Sequence, residues 1–350
     1  MNIDKYEEAM MNCRFCFMCR HLSAIGQVRG TEVDTPRVRA AMLYGTKTGT
    51  NSFDDADFVD AMYRCDLSGS CRRNSVNGYD EGGLALAARA DIVEAGKAPE
   101  AVKKLAAKLV KSSAWKAEGK GKTAIFLDET TASDKAEVAA LKKLMEYAGR
   151  SPRIRTDYVV ITGGAIGKAL KVLGFLPEAK AAAEKFAAFL NSLDVAEIVF
   201  PNPAAYDFVV EDFKDFGLKL KAKVYCTAKY LLEKKVKFTK QAGELYYLAD
   251  DFMRNYLNCG CPEKLLKALG AKEKFFGTND EETYNCGEGA VVLDKLDPKL
   301  VKALAEYVAE RADDPKKDKI VTLGVYAKTQ LRKYGKLNVR TLAEVAAECL

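Results

Sequence analysis

A single histidine, His21, serves a chain of 350 residues. Chemistry that needs a histidine pair or a serine–histidine–aspartate triad therefore has nothing to build on. No apolar stretch reaches the roughly 18 residues of a membrane-spanning helix. The opening "MNIDKYEEAMMN" lacks the basic start and apolar run of a secretory signal. The expectation is a cytoplasmic protein without a transmembrane segment. Also missing is a basic stripe interleaved with aromatics, so nucleic acid is not an expected partner. The net charge of +6 is small, and the lysines are scattered among glutamates and alanines as on solvated helix faces.

What is present is cysteine, ten in all. In a cytoplasmic chain these point to metal ligands or buried thiols sooner than to disulfides. Five fall within the first 71 residues: Cys13, Cys16, Cys19, Cys65 and Cys71. The others are Cys226, Cys259, Cys261, Cys286 and Cys349. With 48% hydrophobic and 30% charged residues the chain is globular, and its length predicts two or three domains.

Residues 1–112 read as mostly helical, through "RVRAAMLYG", "DDADFVDAMYR", "LALAARADIVEAG" and "PEAVKKLAAKLVKSS". The polar "SSAWKAEGKGK" reads as a linker. Beyond it, short apolar runs ("TAIFLD", "YVVIT", "AEIVFP", "LKAKVY", "ELYYLAD", "DKIVTLG") alternate with helical stretches, as in α/β units on largely parallel sheets. The stretch "AEIVFPNPAAYDFVVEDFKDFG" resembles the later "DKIVTLGVYAKTQLRKYG". That likeness divides the remainder into two modules, 122–238 and 239–350.

In "CRFCFMCRHLSA" the spacing of Cys13, Cys16 and Cys19 begins a ferredoxin-type run, but Ser23 and Ala24 stand where the fourth cysteine and its proline belong. In "CDLSGSCRRNS" the same register meets Cys65, Ser68, Cys71 and Ser75. The fourth ligand of each ferredoxin run serves the other run's cluster. One set is then Cys13, Cys16, Cys19 and Ser75, and the other is Cys65, Ser68, Cys71 and Ser23. Three thiolates favour one [4Fe–4S] cluster on the first set, while two serines disfavour a second cluster. The fourth corner of the first is expected from Cys71, with Cys65 and Ser75 as alternatives. His21 reads as a surface residue or a donor to a ligand.

These two stretches, with Thr35–Pro36–Arg37 and the later "NGYD", resemble the iron–sulfur subunits of the glycolate oxidase, anaerobic glycerol-3-phosphate dehydrogenase and heterodisulfide reductase group. The resemblance implies a helical ferredoxin-like N-terminal domain followed by two tandem cysteine-rich α/β modules. Each such module carries a Cys-Cys-Gly sequence, and here most of those cysteines are gone. "VVITGGAIG" and "VFPNPAAY" hold none, "LADDFMR" and "IVTLGVYAK" hold none, and "YNCGEGA" keeps only Cys286. Heterodisulfide-type catalysis at the modules is thereby excluded.

The role implied is an electron-transfer subunit, not catalytic alone. It would relay electrons from an FAD-containing dehydrogenase subunit acting on a 2-hydroxy acid or polyol to a quinone, an electron-transfer flavoprotein or a ferredoxin. A non-redox assembly or regulatory subunit is the alternative, and a thiol–disulfide reductase using Cys286 a further one. Cys259, Cys261 and Cys286 are imaginable as a small metal site but read sooner as thiols, and Cys226 and Cys349 as packing residues. "VVITGGAIGKAL" reads as a tight strand–helix turn, and "DETTASD" as a solvated turn with a helix cap at Ser133.

Overall fold

The computed structural model describes residues 1–18, 20–76, 78–148, 157–276 and 284–350; Cys19 lies outside the described residues. The first 112 residues are helical. Pro36 begins the helix Pro36–Thr48, and the Thr35 side chain accepts a hydrogen bond from Val38 N. Asp55 and Asp80 cap Ala56–Tyr63 and Glu81–Glu94 in the same way. Arg89, 1% exposed, sits among these helices. Its guanidinium donates to the carbonyls of Met62, Tyr63, Cys65 and Val172, so a buried cation satisfies the turn that leads into the second cysteine run.

The rest is mixed α/β, built on two small, mostly parallel sheets. The first has the order β1-β3-β2-β4-β5: β1 Trp115–Gly119, β2 Thr123–Asp128, β3 Val159–Gly163, β4 Glu197–Phe200 and β5 Lys223–Cys226. Only β1 runs antiparallel, against β3. The second has the order β7-β6-β8-β9: β6 Gly243–Tyr247, β7 Ala271–Lys274, β8 Lys319–Thr322 and β9 Asn338–Thr341, with every pair parallel. Leaving β1 aside, the two orders are the same. In each, the second strand lies outside the first and the chain then crosses to the other side, as in doubly wound folds.

Two local expectations are corrected. The stretch read as a linker contains β1, whose alternately half-buried residues cover the edge of β3. The helix cap belongs to Asp134, whose carboxylate accepts from Ala136 N and Glu137 N; Ser133 instead closes the short helix Glu129–Ser133.

The helix Lys135–Tyr147, after β2, packs against the C-terminal helix Leu342–Glu348. Lys328, fully buried, lies there between Asp134 at 2.6 Å and Glu344 at 2.7 Å. Glu344 and Thr341 form a capping box, and the Thr341 hydroxyl donates to Glu137. Buried charge thus joins one sheet's helix to the other's. No helix among the described residues is long and apolar enough to cross a membrane.

Candidate metal centre and thiol sites

Cys13 ends the helix Glu7–Cys13 and is half-buried against the helical core. Its carbonyl accepts from Cys16 N at 3.0 Å, which folds the run into a tight turn and leaves Cys16 exposed. Arg14 stacks over Tyr44 at 3.7 Å and Arg37 over Phe17 at 4.2 Å. Phe15, Phe17 and Met18 are more than half exposed, as is Val76 just beyond the second run. His21 is exposed in the turn Arg20–Leu22.

Ser23, Cys65, Ser68 and Cys71, from both runs, line one small pocket together with Arg39 and Glu81. The hydroxyls of Ser23, Ser68 and Ser70, the Cys71 thiol and the Arg39–Glu81 pair there are engaged. Ser23 accepts from Gly26 N and donates to the Asp34 carbonyl, acting as a helix cap. Ser68 and Ser70 hydroxyls lie 3.1 Å apart. The Arg39 guanidinium donates to Glu81 at 2.8 Å, both side chains being buried, and the Cys71 thiol donates to the same carboxylate at 3.3 Å. Burial pushes the Cys65 thiol up to about 11. The cavity measures about 10 Å³, the room of one water, so these four side chains do not fit a cubane as they are packed. Ser75 stands apart, half-buried, its hydroxyl accepting from Tyr79 N.

The second run is held from outside the helical segment. Asn255 donates to the Ser68 carbonyl and the Tyr256 hydroxyl to that of Leu67, both at 2.7 Å. Asn285 donates to Asp66 at 3.0 Å. Gly69 has φ +72°, and a Cβ there would lie 2.8 Å from the Tyr256 ring. The module that follows β6 therefore fixes the loop on which Cys65 and Cys71 sit.

The carboxyl ends of both sheets meet at a cavity of about 70 Å³, lined by Asp128, Asn202, Asp250, Thr322 and Tyr326 among others. These are the ends of the inner strands where each order reverses, the usual ligand position in such sheets. Asn202 donates to Asp128 across the first reversal at 2.7 Å. No thiol lines this cavity. Lys168, in the glycine turn after β3, is engaged by Asp207 at 2.5 Å and Asp212 at 2.7 Å.

The remaining cysteines are regrouped relative to the sequence reading. Cys286 is fully buried in a separate apolar cluster beside Tyr246 and Tyr284, and burial, then Glu288 and Asp251, push its thiol well up. Cys226 is no mere packing residue. It hydrogen-bonds through sulfur to Cys259 and Cys261, whose own sulfurs lie 3.0 Å apart. These thiols are 33 residues apart in sequence, and only the strand order, which ends β5 at Cys226, brings them together. Among the described residues no group of three or more histidine, cysteine or carboxylate side chains is disposed to hold a metal ion.

No protein-family model matches the chain, and no curated protein matches it. Among solved structures, the chain is similar to an aspartate racemase from Picrophilus torridus at a TM-score of 0.32 and 15% identity. The match covers 65% of this chain and 91% of that one.

Proposed function

We propose that the chain is an iron–sulfur electron-transfer subunit carrying one [4Fe–4S] cluster on Cys13, Cys16 and Cys19. The observation that supports it is the crosswise sharing of the two runs. Ser23, the fourth place of the first run, lies in one pocket with the first three places of the second. Two-cluster ferredoxins share their ligands in this manner. By the same register the first run's thiols look to the second run for their last ligand. Cys71 is the thiol nearest that place, and Ser75 occupies it by strict count. A cluster bound there supplies one-electron transfer at a potential tuned by burial and by hydrogen bonds to sulfur.

The chain's own residues have three tasks in this reading. The tight turn 13–16 presents thiols at the surface, and the clamp of Asn255, Tyr256 and Asn285 keeps the second run in register. Exposed Phe15, Phe17 and Met18 offer an apolar face where an FAD-containing dehydrogenase of 2-hydroxy acid or polyol type, or the electron acceptor, docks within tunnelling reach. The acceptor is a quinone, an electron-transfer flavoprotein or a ferredoxin, and the protein works in the cytoplasm. The buried Arg39–Glu81 pair stands where a second cluster would need its space.

Iron and sulfide analysis of anaerobically purified protein tests this. About four of each per chain are expected, and Cys16→Ser removes them while Cys286→Ser does not. Alanine at Cys71, but not at Ser75 or Ser23, is expected to abolish the four-iron resonance of the reduced state or convert it to a three-iron form. Eight irons would overturn the single-cluster reading. Zinc alone, or no metal, would overturn electron transfer in favour of an assembly role.

A further inference from the structure

A cavity of about 280 Å³ opens beside β6 and β7, with Arg73 of the second cysteine run and Asn255 among its lining residues. Its wall includes Cys259 and three carboxylates, Asp251, Glu263 and Glu273. The strand β5 delivers Cys226 to the start of the helix Thr227–Glu233, where its sulfur accepts from Lys229 N at 3.5 Å. That helix packs on Cys261–Ala268, whose first residue is Cys261. Asn258, at φ +45°, turns the chain so that Cys259 stands just ahead of this helix, its amide donating to the Met253 carbonyl. Hydrogen bonds from Cys226 and then Cys261 hold Cys259 far below the usual thiol range. The hydrogen bonds with Cys259 and then Cys261, and burial after them, push Cys226 the other way. Cys259, half-exposed on a cavity, is thus the sulfur of the three placed to react as a thiolate.

The carboxylates indicate what the cavity receives. Asp251 is 1% exposed, and its Oδ2 has no hydrogen-bond partner; Glu263 Oε2 has none either. Buried carboxylate oxygens without a donor are costly, and a ligand that donates to both removes the cost. Arg73 and Arg254 also reach the wall, while Lys274 is taken by Asp313 at 2.8 Å and Asp318 at 3.4 Å. Burial raises both carboxyls, and a cation that donates to them, such as an ammonium, favours their ionised form.

We infer that Cys259, Cys261 and Cys226 form a thiol–disulfide exchange centre for a small disulfide that carries an ammonium group. The Cys259 thiolate attacks one sulfur of the ligand, the ligand's S–S bond breaks, and one thiolate leaves with the electron pair. Cys261, its sulfur 3.0 Å away, then attacks Cys259 Sγ; the second ligand thiolate leaves, and a Cys259–Cys261 disulfide remains. Two electrons pass from the protein to the ligand. Cys261 supplies one of the two protons the departing thiols take up, and solvent supplies the other. Cys226 stays reduced and acts as the donor that keeps Cys259 ionised.

The test uses the full chain, purified anaerobically with its metal content measured, and four probes: cystamine, cystine, neutral hydroxyethyl disulfide and anionic dithiodiglycolate. Each rate is divided by that probe's rate with a free thiol in solution. Peptide mass mapping locates the adducts, which separates this centre from exposed Cys16. Cystamine and cystine are expected to react at Cys259 at least tenfold faster than the other two, ending in a Cys259–Cys261 disulfide. Cys261→Ser is expected to trap the mixed disulfide on Cys259, and Asp251→Asn with Glu263→Gln to erase the preference for the ammonium probes. Cys226→Ser slows the first step and moves its pH dependence upward. Adducts confined to Cys16, equal normalised rates for all four probes, or trapping by Cys226→Ser in place of Cys261→Ser would overturn the assignment. Iron content unchanged in these variants keeps the outcome separate from that of the cluster.

Discussion

The two sheets answer the same architectural problem with the same strand order and then diverge at their loops. In both, four parallel strands are crossed by helices, and the helix after the third strand widens into a π turn, Phe208–Asp212 in one and Leu331–Gly335 in the other. After the second strand they part. The first sheet turns at once through Gly163 and Gly164, where a Cβ on Gly164 would lie 2.2 Å from the Ser112 carbonyl. In the second, residues 284–293, ahead of the helix Pro298–Ala309, carry Cys286 and clamp the second cysteine run through Asn285. Apolar strands tolerate little change because each residue is packed on both sides. Loops at the strand ends answer only to what they touch, so the glycine turn serves helix packing and residues 284–293 brace the helical segment.

Each sheet also sets one lysine between two carboxylates, and the two are not equivalent. Lys168 sits among Asp207 and Asp212 of its own sheet's helices, and Lys171 also reaches Asp212. Lys328 belongs to the second sheet but binds Asp134 of the first, with Glu344 as its other partner. Removing Lys328 leaves two carboxylates uncompensated at the seam. Lys328→Met is expected to destabilise by about 3–5 kcal/mol. Lys168→Met should cost roughly half as much, because Lys171 still faces Asp212. Guanidinium unfolding followed by circular dichroism checks both. A larger loss at Lys168 would mean that the first sheet, and not the seam, is the weak point.

How far the sequence reveals this comparison depends on where a strand lies. The inner strands β2, β3, β4, β6 and β8 are legible as "TAIFLD", "YVVIT", "AEIVFP", "ELYYLAD" and "DKIVTLG" because most of their apolar residues are buried. The strands that go unread, β1, β7 and β9, are all at sheet edges, where "WKAEG", "AKEK" and "NVRT" alternate with solvent and carry too few apolar residues to show a period. The convergence of Ser23 with Cys65, Ser68 and Cys71 in one pocket is legible, since the register of the two runs groups the same four positions. The partnership of Cys226 with Cys259 and Cys261 is not, since it depends on which strand ends beside which helix. Arg39 and Glu81, which fill the space between the runs, are likewise invisible: each looks like one more charge on an amphipathic helix.

The seam offers a pH signature as well. Glu137 lies on the first sheet's helix, 2% exposed, facing Thr341, Glu344 and Lys328 of the second and Asp134 of its own. Burial, aided by Glu344 and Asp134 against the Thr341 hydrogen bond and Lys328, raises its carboxyl to about 8. The folded protein thus keeps a proton that the unfolded chain has released above the ordinary 4.5. Its contribution is complete below the unfolded value and is lost as pH rises through about 8. Glu137→Gln is expected to flatten the fall in melting temperature over that window, gaining up to about 2–3 kcal/mol on the parent at alkaline pH. Glu288 and Asp250, raised to about 8 and about 7 by burial, are unchanged in both proteins and drop out of the difference. Parallel melting curves for parent and variant from pH 5 to 9 would show that Glu137 is ionised in the fold.

The smallest effect compares matched positions on the two sheets' outer helices. Lys180–Glu184 lies on Leu176–Ser192, after β3, and Lys302–Glu306 on Pro298–Ala309, ahead of β8. Both are exposed pairs one turn apart, with lysine first, the weaker order for a helix. Their nitrogen–oxygen distances are 4.0 Å and 2.9 Å. Solvent screens both, and ordering two long side chains offsets most of the attraction. Lys180→Ala and Lys302→Ala should each change stability by less than about 0.5 kcal/mol, with the second the larger at low salt and the two indistinguishable in high salt. Because alanine is the better helix former, Lys180→Ala is expected to come out neutral or slightly stabilising. A loss above about 1 kcal/mol at Lys180, where the pair is barely formed, would mean that this helix face holds the lysine for a contact with something other than Glu184.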